Sequence, residues 1–313
     1  MRSFYSLLVV GCFALLSCES KKQGGQVQTY TSGTIKIAVD ETFEPIVREE
    51  LEVYHALTPA ATITPKYTTE TEAINLFLKD SVRFAITTRP LSEKETKSLN
   101  TKKLYPRSIK IATDGIALIV NNANTDTLIS VAELKKILTG SVHSWKELNP
   151  RSKYNELQIV FDNNNSSTVR YAIDSICRGT VMTKSNLYAK KSNLEVIKYV
   201  ASSPNAIGVI GVNWLGEKSD STHLTFNNKI RVMSVSKEYP ATEANSVKPY
   251  QAYLLYGDYP LVRTVYILLN DPVGALPSGL TTFFTGDKGQ RILLKSALVP
   301  ATQAIRVVHV NKE

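Results

Sequence analysis

From residue 34 onward, short runs rich in β-branched residues alternate with segments whose apolar residues recur at helical spacing, with polar turns between them. Residues 34–39 alternate as a strand does, break at Asp40-Glu41-Thr42-Phe43-Glu44-Pro45 and pass into the helical period of 46–57. Strands are predicted at 61–67 and 82–87, and helices over 71–79 and after the capping-box spacing of Ser92-Glu93-Lys94-Glu95. The run at 109–121 is the longest of its kind; with Asp114-Gly115 in its middle it is either two strands or one that crosses between lobes. A helix capped at Ser130 ends at Thr139-Gly140, another starts after Ser192, and 206–212 is a buried strand. Further on, 249–256 and 261–270 are predicted as strands and 276–284 and 289–296 as helices. Strands alternating with helices predict an α/β chain with a mixed sheet covered on both faces.

One junction carries more polar chemistry than the others. The strand-like run 157–161 leads into Asp162-Asn163-Asn164-Asn165-Ser166-Ser167-Thr168-Val169-Arg170-Tyr171, and an amphipathic segment follows over 169–178. The first turn of a helix leaves backbone N–H groups unpaired at the positive end of the helix dipole. Hydroxyls of Ser166, Ser167 and Thr168 converge there with those amides, and Arg170 can add a forked cation. Such a cluster is an oxyanion site, or it caps the helix and does nothing else.

At 313 residues, with 43% hydrophobic and 21% charged, the chain fits two globular lobes. Arg2 precedes an apolar run at 4–16, followed by Leu15-Leu16-Ser17-Cys18 and an abrupt polar switch. This run is a signal-peptide core, too short for a membrane span. Residues 1–17 are therefore expected to be removed as a leader resembling that of bacterial lipoproteins, with lipid on Cys18 and 18–33 as a polar tether. Cys12 is then lost with the leader, so only Cys177 is left and no intramolecular disulfide forms. The formal charge of +9 favours anionic ligands or surfaces. Its basic residues are dispersed, without the interleaved aromatics of a nucleic-acid groove. His55, His143, His223 and His309 lack metal-ligand spacing, and no nucleophile elbow or other enzyme motif is present, so neither a cofactor nor catalysis is expected.

The order of motifs resembles the solute-binding lipoproteins of phosphate-type ABC importers, a branch of the two-lobed (type II) periplasmic binding proteins. The resemblance runs from about residue 34 to 302. Glu41-Thr42-Phe43-Glu44-Pro45 is similar to the family's Ala-Thr-Phe-Pro turn, and Phe84-Ala85-Ile86-Thr87-Thr88-Arg89-Pro90-Leu91 to its Phe-Gly-Ala-Ser-Asp-x-Pro-Leu turn. Asp114-Gly115-Ile116-Ala117-Leu118 resembles the inter-lobe strand, Trp145-Lys146-Glu147-Leu148 the Asn-Trp-x-Glu-Leu segment, and Ser166-Ser167-Thr168 the phosphate-holding Ser-Gly-Thr loop. Asn205-Ala206-Ile207-Gly208 and Tyr259-Pro260-Leu261 follow in the family's order. The resemblance implies two lobes, 34–115 with 251–313 and 116–250, joined by two crossing strands. It implies a cleft ligand held by Thr42, Phe43, Thr87, Thr88, Arg89, Asp162, Ser166, Ser167, Thr168 and Arg170.

Three positions depart from the family. Thr88 stands where the family has the Asp that accepts a proton from hydrogen-phosphate, Asp162 where it has an Arg, and Ser167 where it has a Gly. Two readings fit. Either the charges have exchanged lobes, with Asp162 the acceptor and Arg89 and Arg170 the positive pair, or Asp162 holds the loop and the ligand is not phosphate. The implied function is capture of an oxyanion, phosphate first, for a membrane ABC permease, by a protein lipid-anchored in the cell envelope. The alternatives are the same fold with another small ligand, or a surface or sensory lipoprotein that contacts a protein partner. Nucleic acid is not an expected partner.

Overall fold

The polarity of residues 33–40 dictates the first element: buried and exposed side chains alternate at its start and all four are buried at its end. In the computed structural model, which describes residues 28–183, 185–216 and 230–304, this is strand β1 (Gly33–Asp40). It is followed by α1 (Glu44–Leu57), β2 (Ala61–Thr68), α2 (Glu70–Leu78), β3 (Phe84–Thr87), α3 (Glu93–Thr101) and β4 (Arg107–Asn121). Next come β5 (Leu128–Ser130), α4 (Val131–Leu138), α5 (Trp145–Leu148), β6 (Gln158–Phe161), α6 (Ser167–Tyr171), β7 (Leu187–Ala189), α7 (Asn193–Ser202) and β8 (Ala206–Gly211). The chain ends with β9 (Ile230–Val232), β10 (Ser234–Ser236), β11 (Ser246–Val247), α8 (Gln251–Tyr256), β12 (Val262–Leu269), α9 (Leu276–Thr285), α10 (Asp287–Lys295) and β13 (Val299–Pro300).

A ten-stranded mixed sheet runs β2-β1-β3-β12-β4-β8-β6-β7, with β13 and β9 also on β4; β11-β10-β5 form a small separate sheet. The run at 109–121 is thus one strand that belongs to both halves; of the two crossing strands expected, it is the one found among the described residues, since the chain returns through 248–250 outside any strand. Up to Gly115 it pairs antiparallel with β12, and from Ile116 it pairs antiparallel with β8. On one side β1 takes β2 and β3 as parallel neighbours; on the other β6 takes β8 and β7. Helices flank both halves, giving the two-lobed α/β architecture of type II.

Local chemistry explains most boundaries. Thr69, Ser92, Ser130, Ser144, Ser166 and Ser192 each accept a backbone N–H as helix caps. The Ser92–Glu95 and Ser130–Glu133 pairs form complete reciprocal boxes. Gly140, after α4, takes φ 79°, where a side chain would be strained. Two predicted elements differ. Within 249–256, residues 251–256 form α8, not a strand, because Gly257 at φ 74° supplies a left-handed C-terminus and Tyr250 an extended start. The segment at 169–178 starts as α6 and widens into one π-type stretch over Ala172–Cys177. Cys177 is a free, buried thiol there. The leader, Cys18, most of the tether, His223 and His309 lie outside the described residues.

Candidate functional site

Asp40 ends β1 and turns the chain. Its Oδ1 accepts the Thr42 N–H at 3.1 Å, which folds Glu41–Phe43 into a tight turn ahead of α1. The turn delivers the Thr42 hydroxyl to the seam between the halves, 3.4 Å from the Ser167 hydroxyl on the other side. Across the seam, Asn213 Nδ2 and Trp214 Nε1 both donate to the Thr42 carbonyl at 2.8 Å. Asn163 Nδ2 donates to Glu41 Oε1.

Arg263, on β12, reaches the same point. Its Nε donates to Asp114 Oδ2 at 2.8 Å and its Nη1 to Ser167 Oγ at 2.7 Å, with the guanidinium 5.2 Å from the Phe43 ring centroid. Asp40, Thr42, Asp114 and Ser167 are wholly buried and Arg263 is 5% exposed, so water screens these charges little. Burial pushes the Asp40 carboxyl up to about 6, against the pull of Arg263. Asp114 is raised for the same reason, with Arg263 again opposing. Three polar atoms of the cluster are buried without a hydrogen-bond partner among the described residues: Asp40 Oδ2, Asp114 Oδ1 and Arg263 Nη2. Ser167 and the Gly115 and Val212 amides stand close enough to ease the two carboxylates, so the donor left over in the cluster is Arg263 Nη2, which suits an anionic oxygen.

The loop before α6 is organised from beneath. Thr168 Oγ1 donates to Asp162 Oδ1 at 2.5 Å, and Asn193 Nδ2 donates to Asp162 Oδ2 at 3.2 Å. Since Thr168 has given its only proton to Asp162, the 2.8 Å contact between Ser166 and Thr168 is donated by Ser166, whose Oγ also accepts the Val169 N–H at 3.2 Å. Both Asp162 oxygens are taken up in holding the loop. This geometry accords with the part of the second reading in which Asp162 holds the loop, each of its oxygens accepting one hydrogen bond from the protein.

Arg89 is also committed. Its two terminal nitrogens donate to the two Glu95 oxygens, each at 2.8 Å, and hold that carboxyl down at about 2. The Thr87 hydroxyl donates to the Arg89 carbonyl at 2.8 Å, closing the same turn. The positive pair expected of Arg89 and Arg170 is therefore not formed: Arg89 completes the cap of α3, while Arg170 crosses the seam to Glu70 at 2.5 Å and to Thr88 at 2.7 Å. Arg89→Ala is expected to leave anion affinity unchanged and to lower stability by about 0.5–1 kcal/mol, read by titration beside a thermal melt.

This fold and seam can be set beside known proteins. The PBP superfamily domain matches residues 24–288, most of the chain. The chain belongs to the PBP superfamily. As a superfamily member it is a binding protein, not an enzyme. It is 23% identical over 270 residues to the phosphate-binding protein PstS of Staphylococcus saprophyticus, covering 85% of this chain and 76% of that one. It is likewise 23% identical over 294 residues to PstS of Staphylococcus aureus strain USA300, covering 92% and 84%. Among solved structures it is similar to a phosphate ABC transporter substrate-binding protein with bound phosphate from Clostridium perfringens (TM-score 0.70, 20% identity, 86% and 100% covered). It is also similar to an ABC-type phosphate transport receptor from Vibrio cholerae (TM-score 0.61, 20% identity, 85% and 99% covered).

In this PBP superfamily chain the structure brings Thr42, Phe43 and Ser167 together with Arg263, Asp40 and Asp114, none of which was among the site residues expected from sequence. The signal for Arg263 was present. It falls in register with the buried Val265 and Ile267, so a charge occupies an inward position of an apolar strand. A separate surface groove of about 740 Å³ lies on the second half, bordered by Val169, Ile173, Val181, Met182 and Tyr188, and its described lining holds no charged side chain.

Proposed function

We propose that this protein captures an oxyanion, phosphate first, between two lobes made of 34–115 with 251–313 and of 116–250, and delivers it to an ABC importer. The observation that carries this is Arg263: a buried guanidinium with Nη2 unpartnered among the described residues, set against the hydroxyls of Thr42 and Ser167 from opposite sides of the seam. The names of its relatives support the same ligand, and the lipobox-like Leu15-Leu16-Ser17-Cys18 supports attachment to the envelope through lipid on Cys18. The buried carboxylates of Asp40 and Asp114 beside Arg263 favour a ligand that brings a proton over one that is fully ionised.

The test is calorimetric titration of the soluble chain from residue 19, unfolded and refolded to strip bound ligand, with phosphate, arsenate and sulfate at two pH values. Phosphate and arsenate are expected to bind and sulfate, which carries no hydroxyl at neutral pH, to be excluded. Silence toward all three would remove the oxyanion reading and leave the fold with a different small ligand.

A further inference from the structure

Glu70 is the first residue of α2, and it is 2% exposed. Its Oε1 accepts the Thr88 N–H at 2.6 Å and the Thr88 hydroxyl at 2.7 Å. Its Oε2 accepts Arg170 Nε at 2.5 Å, while Arg170 Nη2 lies 3.4 Å from Oε1 and donates to Thr88 Oγ1 at 2.7 Å. One carboxylate thus gathers a backbone amide, a hydroxyl and a guanidinium fork. Burial works to raise its pKa, but the hydrogen bonds from Arg170 and Thr88 outweigh it, so the group is held ionised. Glu70 and Thr88 belong to the half built on β1, and Arg170 to the half built on β6.

This is the donor set that an oxyanion would take from the protein. Here the chain supplies the anion itself. A tethered carboxylate faces Arg170 at an effective concentration that is roughly millimolar or higher, so a dilute ligand meets Arg170 already neutralised. The cation left to the ligand is Arg263, which already faces Asp114 and Asp40.

We infer that Glu70 is a specificity-determining residue: a resident anion that fills the Arg170–Thr88 donor set, lowers the negative charge the site accepts, and ties the two halves together without ligand. The affinity part rests on the oxyanion reading above; the tie between the halves does not.

Glu70→Gln keeps the shape and removes the charge. In ligand-free protein, small-angle scattering is expected to give a larger radius of gyration for Glu70→Gln than for wild type, and phosphate should return it to the wild-type value. Phosphate is expected to bind the variant tighter by on the order of tenfold or more, since a like charge beside the ligand is gone. Arg170→Gln, made from the other half, should expand the ligand-free protein in the same way but show no gain in affinity. The inference is overturned if both ligand-free variants are as compact as wild type, or if Glu70→Gln weakens phosphate, which would make Glu70 a direct acceptor for the ligand. If no variant binds phosphate the oxyanion reading fails, and the scattering of the ligand-free proteins still decides whether Glu70 ties the halves.

Discussion

Arg263→Met is expected to lower the unfolding free energy by about 3–5 kcal/mol, the usual cost of removing one partner from a buried ion pair. Methionine fills much of the same volume, so packing changes little. What changes is charge. Asp114 is fully buried and keeps one oxygen on Arg263; without it the carboxylate must be desolvated alone or take up a proton. Asp40 loses its opposing charge as well, and the Ser167 hydroxyl loses its donor. Urea denaturation should show a lower midpoint at unchanged slope. Adding Asp114→Asn should restore part of the loss, because it removes the stranded charge, and the non-additivity measures the coupling. A single-variant loss under about 1 kcal/mol would mean that Arg263 is not the electrostatic centre of the seam. In the same preparations, phosphate binding should vanish in Arg263→Met and persist in Arg89→Ala.

The second large effect lies away from the seam. Glu50, in α1, is wholly buried and neither carboxyl oxygen has a hydrogen-bond partner among the described residues. It packs on the first turn of α10 so closely that a Cβ at Gly289 would stand 3.1 Å from Glu50 Oε2. Burial, with Glu49 adding to it, lifts the Glu50 carboxyl from 4.5 to about 9. The folded chain therefore keeps a proton that the unfolded chain releases. Its contribution to stability is fully present below pH 4.5 and is lost as pH rises toward 9. Glu50→Gln has no proton to lose. It should match wild type near pH 4.5 and exceed it at pH 7.5 by on the order of 3–4 kcal/mol, since each pKa unit is about 1.4 kcal/mol. Denaturation curves at several pH values check this, and parallel curves for the two proteins would refute it.

The helices with strong caps were legible because Ser, Thr and Glu announce helix starts through local hydrogen bonds. Ser92, Ser130 and Ser192 did so here. The strands of two to three residues around β9, β10 and β11 were not, since partners distant in sequence decide their pairing. At the site, Thr42 and Ser167 could be read from their turns. Arg89 follows the Thr87-Thr88 turn as the resemblance requires, and its pairing with Glu95, six residues on in α3's cap, is a contact that the turn alone does not announce. Asp40, Asp114 and Arg263 were unread because they lie on three strands far apart in sequence, and only the fold reveals that those strands bring their charges to one point.

The single strand shared by both half-sheets limits how the molecule can move. Sliding one half past the other by a residue would break the ladder to β12 or the one to β8, whereas a rotation that bends the backbone at Gly115 keeps both. Gly115 has no side chain to spare there, for a Cβ would come within 2.9 Å of Leu254 and Val212. Any change in the angle between the halves therefore also bends or twists β4, the strand whose ladders they share.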